Sequence, residues 1–172
     1  NMVVVPDEWL VQVYKESGVK IPIFVLPLGI LIEDFLKEPI KTEPNEMFTF
    51  GMSGGLIARK NHLKVLRAFK KTFGVNNQFF RLELHGRFGP IKEKIDEEVK
   101  KYIFDGVYVK FLSAPFSKRE YLNWFKSLDC YIYPSQGEGF SITPRESLAL
   151  GIPCIITNNT AHKTLSQTNY FK

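Results

Sequence analysis

The chain is poor in cysteine. Cys130 and Cys154 are its only two, each inside an apolar stretch ("DCYIYP" and "IPCIIT"), where a thiol most often serves as a small core side chain. That usage excludes a disulfide framework and points to a reducing compartment. Long apolar runs are also missing: no stretch reaches the roughly 18 residues of a membrane span. The start, "NMVVVPDEW", lacks the charged-then-apolar order of a signal peptide. A large excess of one charge is absent, since 23 basic and 18 acidic residues leave a net of +5. Such a balance suits an anionic partner and is too weak to imply nucleic acid. No internal repeat or low-complexity tract appears.

What is present describes an ordinary globular chain. Its 172 residues are 44% hydrophobic and 24% charged, enough for one well-buried domain. The missing initiator Met and the abrupt end at "TNYFK" are expected of a piece of something longer. A cytoplasmic setting follows from the free thiols, and the basic balance is compatible with peripheral association at the cytoplasmic face of a membrane.

Short β-branched and aromatic runs alternate with stretches of helical period, the pattern of βαβ units and a mainly parallel sheet. The expected strands are 47 to 53 ("MFTFGMS"), 79 to 85 ("FFRLELH"), 107 to 112 ("VYVKFL"), 130 to 134 ("CYIYP") and 154 to 157 ("CIIT"). Between them, "NHLKVLRAFKKTF" sets Leu63, Leu66 and Phe69 on one helical face, and "IKEKIDEEVKKYI" does the same for Ile91, Ile95, Val99 and Tyr102. Both read as covering helices. A third is announced by "SKRE", in which Ser117 and Glu120 form a capping box ahead of Tyr121, Trp124, Phe125 and Leu128. Residues 1 to 45 follow another rhythm: a short strand "MVVVP", a helix "DEWLVQVYKESG", a short strand "IFVLPLG" and a proline-bearing, charged segment "KEPIKTEPNE". They are expected to be the end of a preceding domain plus an exposed linker, and 46 to 172 a Rossmann-like domain.

In open parallel sheets, ligands bind beyond the carboxyl ends of the strands. The segments there are "SGGLIARKN", "HGRFGP", "SAPFS", "SQGEGFS" and "NNTAH", rich in glycine, hydroxyl and basic groups. Glycines let backbone N–H groups approach a ligand, and the first and fourth loops run into helix N-termini, where the dipole favours an anion. Arg59 and Lys60 stand just ahead of the first of these helices, so a phosphate is the expected guest. His85 and Arg87 flank Gly86 at a strand end, able to line the crevice or to serve structure alone. "TPRE" puts Thr143 at the N-cap, Pro144 at the first helical position and Glu146 at the third, a complete capping box. Glu138, between two glycines in a loop after a strand, has no helix or core task and is the sharper functional candidate.

The stretch "PSQGEGFSITPRESLALGIPCIIT" resembles the signature region of retaining GT-B glycosyltransferases, the glycosyl transferases group 1 or GT4-like family. The resemblance extends through "RKNHLKVLRAF", "LELHG" and "VKFLS". It also takes in "VPDEWLVQVYKESGVKIPIFVLPLG", similar to that family's passage from acceptor to donor domain. It implies an α/β fold: a Rossmann-like parallel sheet with covering helices, one half of a GT-B fold, here the donor-binding half. In this likeness Glu138, in the E-x7-E block, contacts hydroxyls of the transferred sugar, with backbone N–H groups of Gly139, Phe140 and Ser141 nearby. Glu146 binds the nucleotide ribose, and Lys60 binds the diphosphate beside the glycine turn of Gly54 and Gly55. Backbone groups near Phe111 and Leu112 meet the base. An ionised carboxylate can accept two ribose hydroxyls, and a fixed cation stabilises a departing diphosphate. No metal or cofactor is implied. The family commonly carries an arginine five residues before the lysine. Here Gly55 stands in that place, leaving Arg59 or Arg87 to substitute.

The activity implied is hexosyl transfer from a nucleoside-diphosphate sugar, UDP- or GDP-linked by preference, to a glycan or lipid-linked acceptor held through a missing N-terminal domain. The fragment alone is then expected to be inactive. Alternatives on the same architecture are a nucleotide-sugar epimerase or hydrolase, or a non-catalytic nucleotide-sugar-binding homologue. A phosphoacceptor signalling module would need acidic residues at the strand ends, where Ser53, His85 and Ser113 stand instead.

Overall fold

The computed structural model describes residues 1–167. The chain opens with β1 (Val3–Val5), α1 (Glu8–Glu16), β2 (Ile23–Val25) and α2 (Glu33–Leu36). Strands β1 and β2 form a small parallel sheet of their own. The main body follows as β3 (Phe48–Ser53), α3 (His62–Phe73), β4 (Phe80–His85), α4 (Lys92–Phe104), β5 (Val109–Leu112), α5 (Lys118–Lys126), β6 (Cys130–Tyr133), α6 (Ile142–Ala149), β7 (Cys154–Ile156) and α7 (Thr160–Ser166). Five strands, β3 to β7, make one sheet in the order β5-β4-β3-β6-β7, with every pairing parallel. The strand runs read from the sequence are therefore present, each trimmed by one or two residues. This is the Rossmann-like half expected.

An all-parallel sheet is stable when apolar helices cover it, and the sequence supplies them. Phe50 of β3 meets Phe69 and Phe73 of α3, with ring centroids 6.2 and 5.5 Å away. Its neighbour Gly51 faces the other side, where an added Cβ would sit 2.2 Å from Leu128, just past α5. Helices α3 and α5 thus cover opposite faces of β3. The helical stripes are close to those expected: α3 buries Val65, Leu66 and Phe69 with Leu63 partly covered, and α4 buries Ile95, Val99 and Tyr102. Helix α5 begins with the expected capping box, Ser117 accepting from the Glu120 N–H while Glu120 accepts from the Ser117 N–H.

Residues 1 to 45 are anchored at several points. Asp7 caps α1 through the Trp9 N–H at 3.0 Å and accepts the Thr164 hydroxyl of α7 at 2.8 Å. Phe35 of α2 joins the core edge-on to Phe125. Buried Asp129 pairs with Lys41 at 2.7 Å and accepts the Asn45 N–H at 2.8 Å, tying the exposed 37 to 46 segment down beside β3. Among the described residues, no helix is long and apolar enough to cross a membrane.

Candidate functional site

Strand β3 is the switch point of the sheet, with β4 on one side and β6 on the other. Loops leaving adjacent strands there diverge and open a crevice. The loop after β3 carries Gly54, Gly55, Arg59 and Lys60, the last two in a 3-10 turn (Ala58–Lys60) that leads into α3. The loop after β6 carries Glu138, Gly139, Phe140 and Ser141 into α6. The two loops are stitched together: the Asn61 side-chain amide donates to the Pro134 carbonyl at 2.7 Å, and the Gln136 N–H donates to the Arg59 carbonyl at 2.9 Å.

At their meeting point Lys60 Nζ donates to Glu138 Oε1 and to the Tyr133 hydroxyl. Both charged side chains are largely buried, each 11% exposed. Burial pushes the Lys60 ammonium pKa below its ordinary value, further than the bond and charge of Glu138 raise it. For Glu138, burial acts upward, but hydrogen bonds from Lys60 and Ser135 and the nearby positive charges outweigh it and hold the carboxyl below its usual range. A lysine ammonium has three N–H donors and no acceptor. Two are used here, which leaves one for an anion. Among the described residues, no acceptor takes the backbone N–H groups of Gly55, Gly139 and Phe140.

Arg59 turns toward the second loop, where its Nη1 donates to the Gly137 carbonyl, to Ser135 Oγ at 3.3 Å and to Glu138 Oε1 at 3.2 Å. Its charge therefore pins the loop that carries Glu138. Arg87 lies over the Phe88 ring, 4.9 Å from its centroid. Gly54 donates its N–H to the His85 carbonyl at 3.1 Å, and an added Cβ would press on the Tyr133 ring at 3.3 Å. At Gly55 a Cβ would meet nothing within 4 Å. His85 is tied to Ser53 Oγ by Nδ1 at 2.9 Å and stacks face to face on Phe116 at 4.1 Å. Phe111 and Leu112 end β5 beside Leu84 and His85, and the Leu112 carbonyl accepts the Gly86 N–H at 3.1 Å.

The capping box expected at Thr143 and Glu146 does not form. Helix α6 starts two residues earlier, with Ser141 at the N-cap in left-handed backbone (φ 67°) and no side-chain cap bond. Pro144 is then the third helical residue, where its missing N–H is still one of those the helix leaves unpaired. The Glu146 carboxylate has a tertiary partner instead, accepting the Tyr121 hydroxyl of α5 at 3.0 Å. Burial raises the Glu146 pKa, and the bond from Tyr121 opposes that rise in part. Phe140 packs under the Arg145 guanidinium, 4.2 Å away, and Gly139 faces Leu10 of α1.

Three contributors escaped sequence reasoning. Tyr133 reads as a strand residue and Tyr121 as a helical apolar position. Ser135, fully buried beneath the loop, reads as loop filler. The one local signal was a tyrosine at the carboxyl end of a strand, directly before a proline.

Comparison with known proteins adds a framework to this geometry. Residues 34–168 match the model of the family described as "Glycosyl transferases group 1". The lipopolysaccharide core biosynthesis mannosyltransferase LpsB of Rhizobium meliloti (strain 1021) is 39% identical over 36 residues, which are 21% of this chain and 10% of that protein. Anabaena Alr3699/HepE, solved in complex with UDP and glucose, superposes with a TM-score of 0.77 at 16% identity, over 97% of this chain and 47% of that one. A UDP-forming alpha,alpha-trehalose-phosphate synthase from Burkholderia vietnamiensis gives a TM-score of 0.72 at 9% identity, over 95% of this chain and 46% of that one. The chain spans less than half the length of each of these relatives. At such identities the structural likeness shows the fold, one half of a GT-B architecture.

Proposed function

The chain belongs to the glycosyl transferases group 1 family, and from that premise we propose that it binds the nucleoside-diphosphate sugar of a retaining, metal-independent glycosyltransferase. The whole protein would transfer a hexose unit to a hydroxyl of a glycan or lipid-linked acceptor, which a second Rossmann-like domain would present. Lys60, with its third N–H, would hold and neutralise the departing diphosphate at the helix N-termini. Glu138 would accept hydroxyls of the transferred sugar, and the N–H groups of Gly139 and Phe140 would donate to it. Glu146 would accept ribose hydroxyls, steadied by Tyr121. Rate would come from charge stabilisation in the transition state and from orienting the sugar toward its acceptor.

The observation that carries this reading is the convergence of Lys60 and Glu138 at the switch point, beside backbone N–H groups without protein acceptors. Two observations favour a second reading, a non-catalytic nucleotide-sugar-binding homologue: Gly55 brings no cation, and Arg59 is engaged with the loop after β6. Isothermal titration with UDP, GDP and ADP tests the first reading. Saturable binding of one diphosphate, weakened by Glu146→Ala, is expected. Equal binding by Glu146→Ala would remove the ribose role. Product analysis with the matching nucleotide-sugar and the full-length protein separates transfer from hydrolysis, epimerisation or binding alone.

A further inference from the structure

The loop that carries Glu138 is held from behind by the start of α7, at three points. The Glu138 N–H donates to Thr160 Oγ1 at 2.9 Å, and the Ala161 N–H donates to the Glu138 carbonyl at 3.2 Å. His162, fully buried, bonds Ser141 Oγ through Nε2 at 2.7 Å and Thr157 Oγ1 through Nδ1 at 3.0 Å. The direction of the last two bonds can be read from Thr157. Its hydroxyl donates to the Ser135 carbonyl at 2.6 Å and lies 3.1 Å from Asn159 Oδ1, both of which only accept. Thr157 must therefore accept from His162 Nδ1–H. Burial lowers the His162 pKa below its ordinary value, which favours the neutral ring; with its proton on Nδ1, Nε2 accepts the Ser141 hydroxyl.

That bond falls on a residue in need of it. Ser141 has φ 67° and ψ 85°, a left-handed backbone that its Cβ disfavours. It stands between the two free N–H groups of Gly139 and Phe140 and the first turn of α6. Left to itself, a serine there would relax toward the common backbone regions and turn those N–H groups elsewhere.

We propose that His162 is a positioning residue for donor binding: by accepting the Ser141 hydroxyl it holds Ser141 left-handed and so aims the 138–141 loop at the sugar. The inference rests on the donor-binding reading given above. His162 touches no ligand in it and acts through Ser141.

The test is a cycle on the purified 172-residue chain, with two readouts: the backbone carbon shifts of residue 141, which report its φ, and titration with UDP-glucose, GDP-mannose and ADP-glucose, which carry the sugar the loop would meet. His162→Phe should move the residue 141 shifts out of the left-handed range and weaken nucleotide-sugar binding roughly tenfold, the scale set by releasing one strained residue. Ser141→Ala, which leaves the buried imidazole in place, should reproduce the loss. His162→Gln keeps an acceptor near Nε2 and should stay within about threefold of the parent. Ser141→Gly with His162→Phe should recover most of the affinity, because glycine takes the left-handed backbone without help. Residue 141 still left-handed in both His162→Phe and Ser141→Ala, or a double variant as weak as His162→Phe, would overturn the proposal. A parent chain that binds none of these nucleotide-sugars would remove the donor reading, and the shifts of residue 141 would then decide the clamp alone.

Discussion

The Tyr121 hydroxyl donates to the Glu146 carboxylate across 3.0 Å, joining α5 to the first turns of α6. A carboxylate that local sequence assigns to helix capping is thereby freed from the helix end and steadied from the core. Its pKa is raised by burial, and the tyrosine bond restrains the rise.

Tyr121→Phe should therefore let the Glu146 pKa climb further. A higher pKa means a larger protonated share at any given pH, so binding that needs the carboxylate falls off at a higher pH as the solution is acidified. Nucleoside-diphosphate affinity should drop by about 1 kcal/mol at neutral pH, the worth of one hydrogen bond. Titrations repeated across pH 5 to 8 check both effects.

Removing one member of a largely buried ion pair leaves the other charge uncompensated. Lys60→Ala should cost about 3 kcal/mol of folding stability, and Lys60→Met combined with Glu138→Gln should cost clearly less than Lys60→Ala. Denaturant unfolding of these variants supplies the numbers. If Lys60→Ala unfolds at the parent midpoint, the pair carries no such weight.

His62, the first residue of α3, is fully buried, with neither ring nitrogen in a well-formed hydrogen bond, and burial, only partly offset by the His85 backbone, pushes its pKa from 6.5 to about 4. Between those values the unfolded chain binds the proton and the folded chain does not. Stability thus rises with pH across that window and is lost as pH falls through it, by about 3 kcal/mol in all. His62→Phe should flatten this slope, which thermal melts between pH 4 and 7 would show.

The open space at Gly55 gives a gain-of-function test. A side chain there meets no heavy atom within 4 Å of its Cβ, and the backbone is not left-handed. Gly55→Arg should restore the cation that the family resemblance leads one to expect, strengthening diphosphate binding by about 1.5 kcal/mol. Titration of this variant beside the parent is the check.

Elements written in local pattern were legible in the sequence. Strand runs, helical stripes and the Ser117–Glu120 box depend on neighbours within a few residues, and they stand where the pattern puts them. The start of α6 was not legible, because its determinants are distant. Ser141 is bound by His162, 21 residues on, and Glu146 by Tyr121, 25 residues back. Lys60 and Glu138 could each be singled out by their place after a strand, but they are 78 residues apart and their meeting follows from β6 pairing with β3. The direction of Arg59 was equally hidden. Its charge is visible in sequence, while its target, the Gly137 carbonyl, exists only once both loops stand side by side.

Backbone amide shifts of the labelled chain on addition of UDP, GDP and ADP test donor binding at the β3–β6 edge head-on. One of them should perturb Gly54, Gly55 and the 138–141 loop together, along the carboxyl edge of β3 and β6. Saturable shifts confined to another surface, such as the apolar groove between α3 and β7 lined by Val65, Phe69 and Ile155, would contradict it.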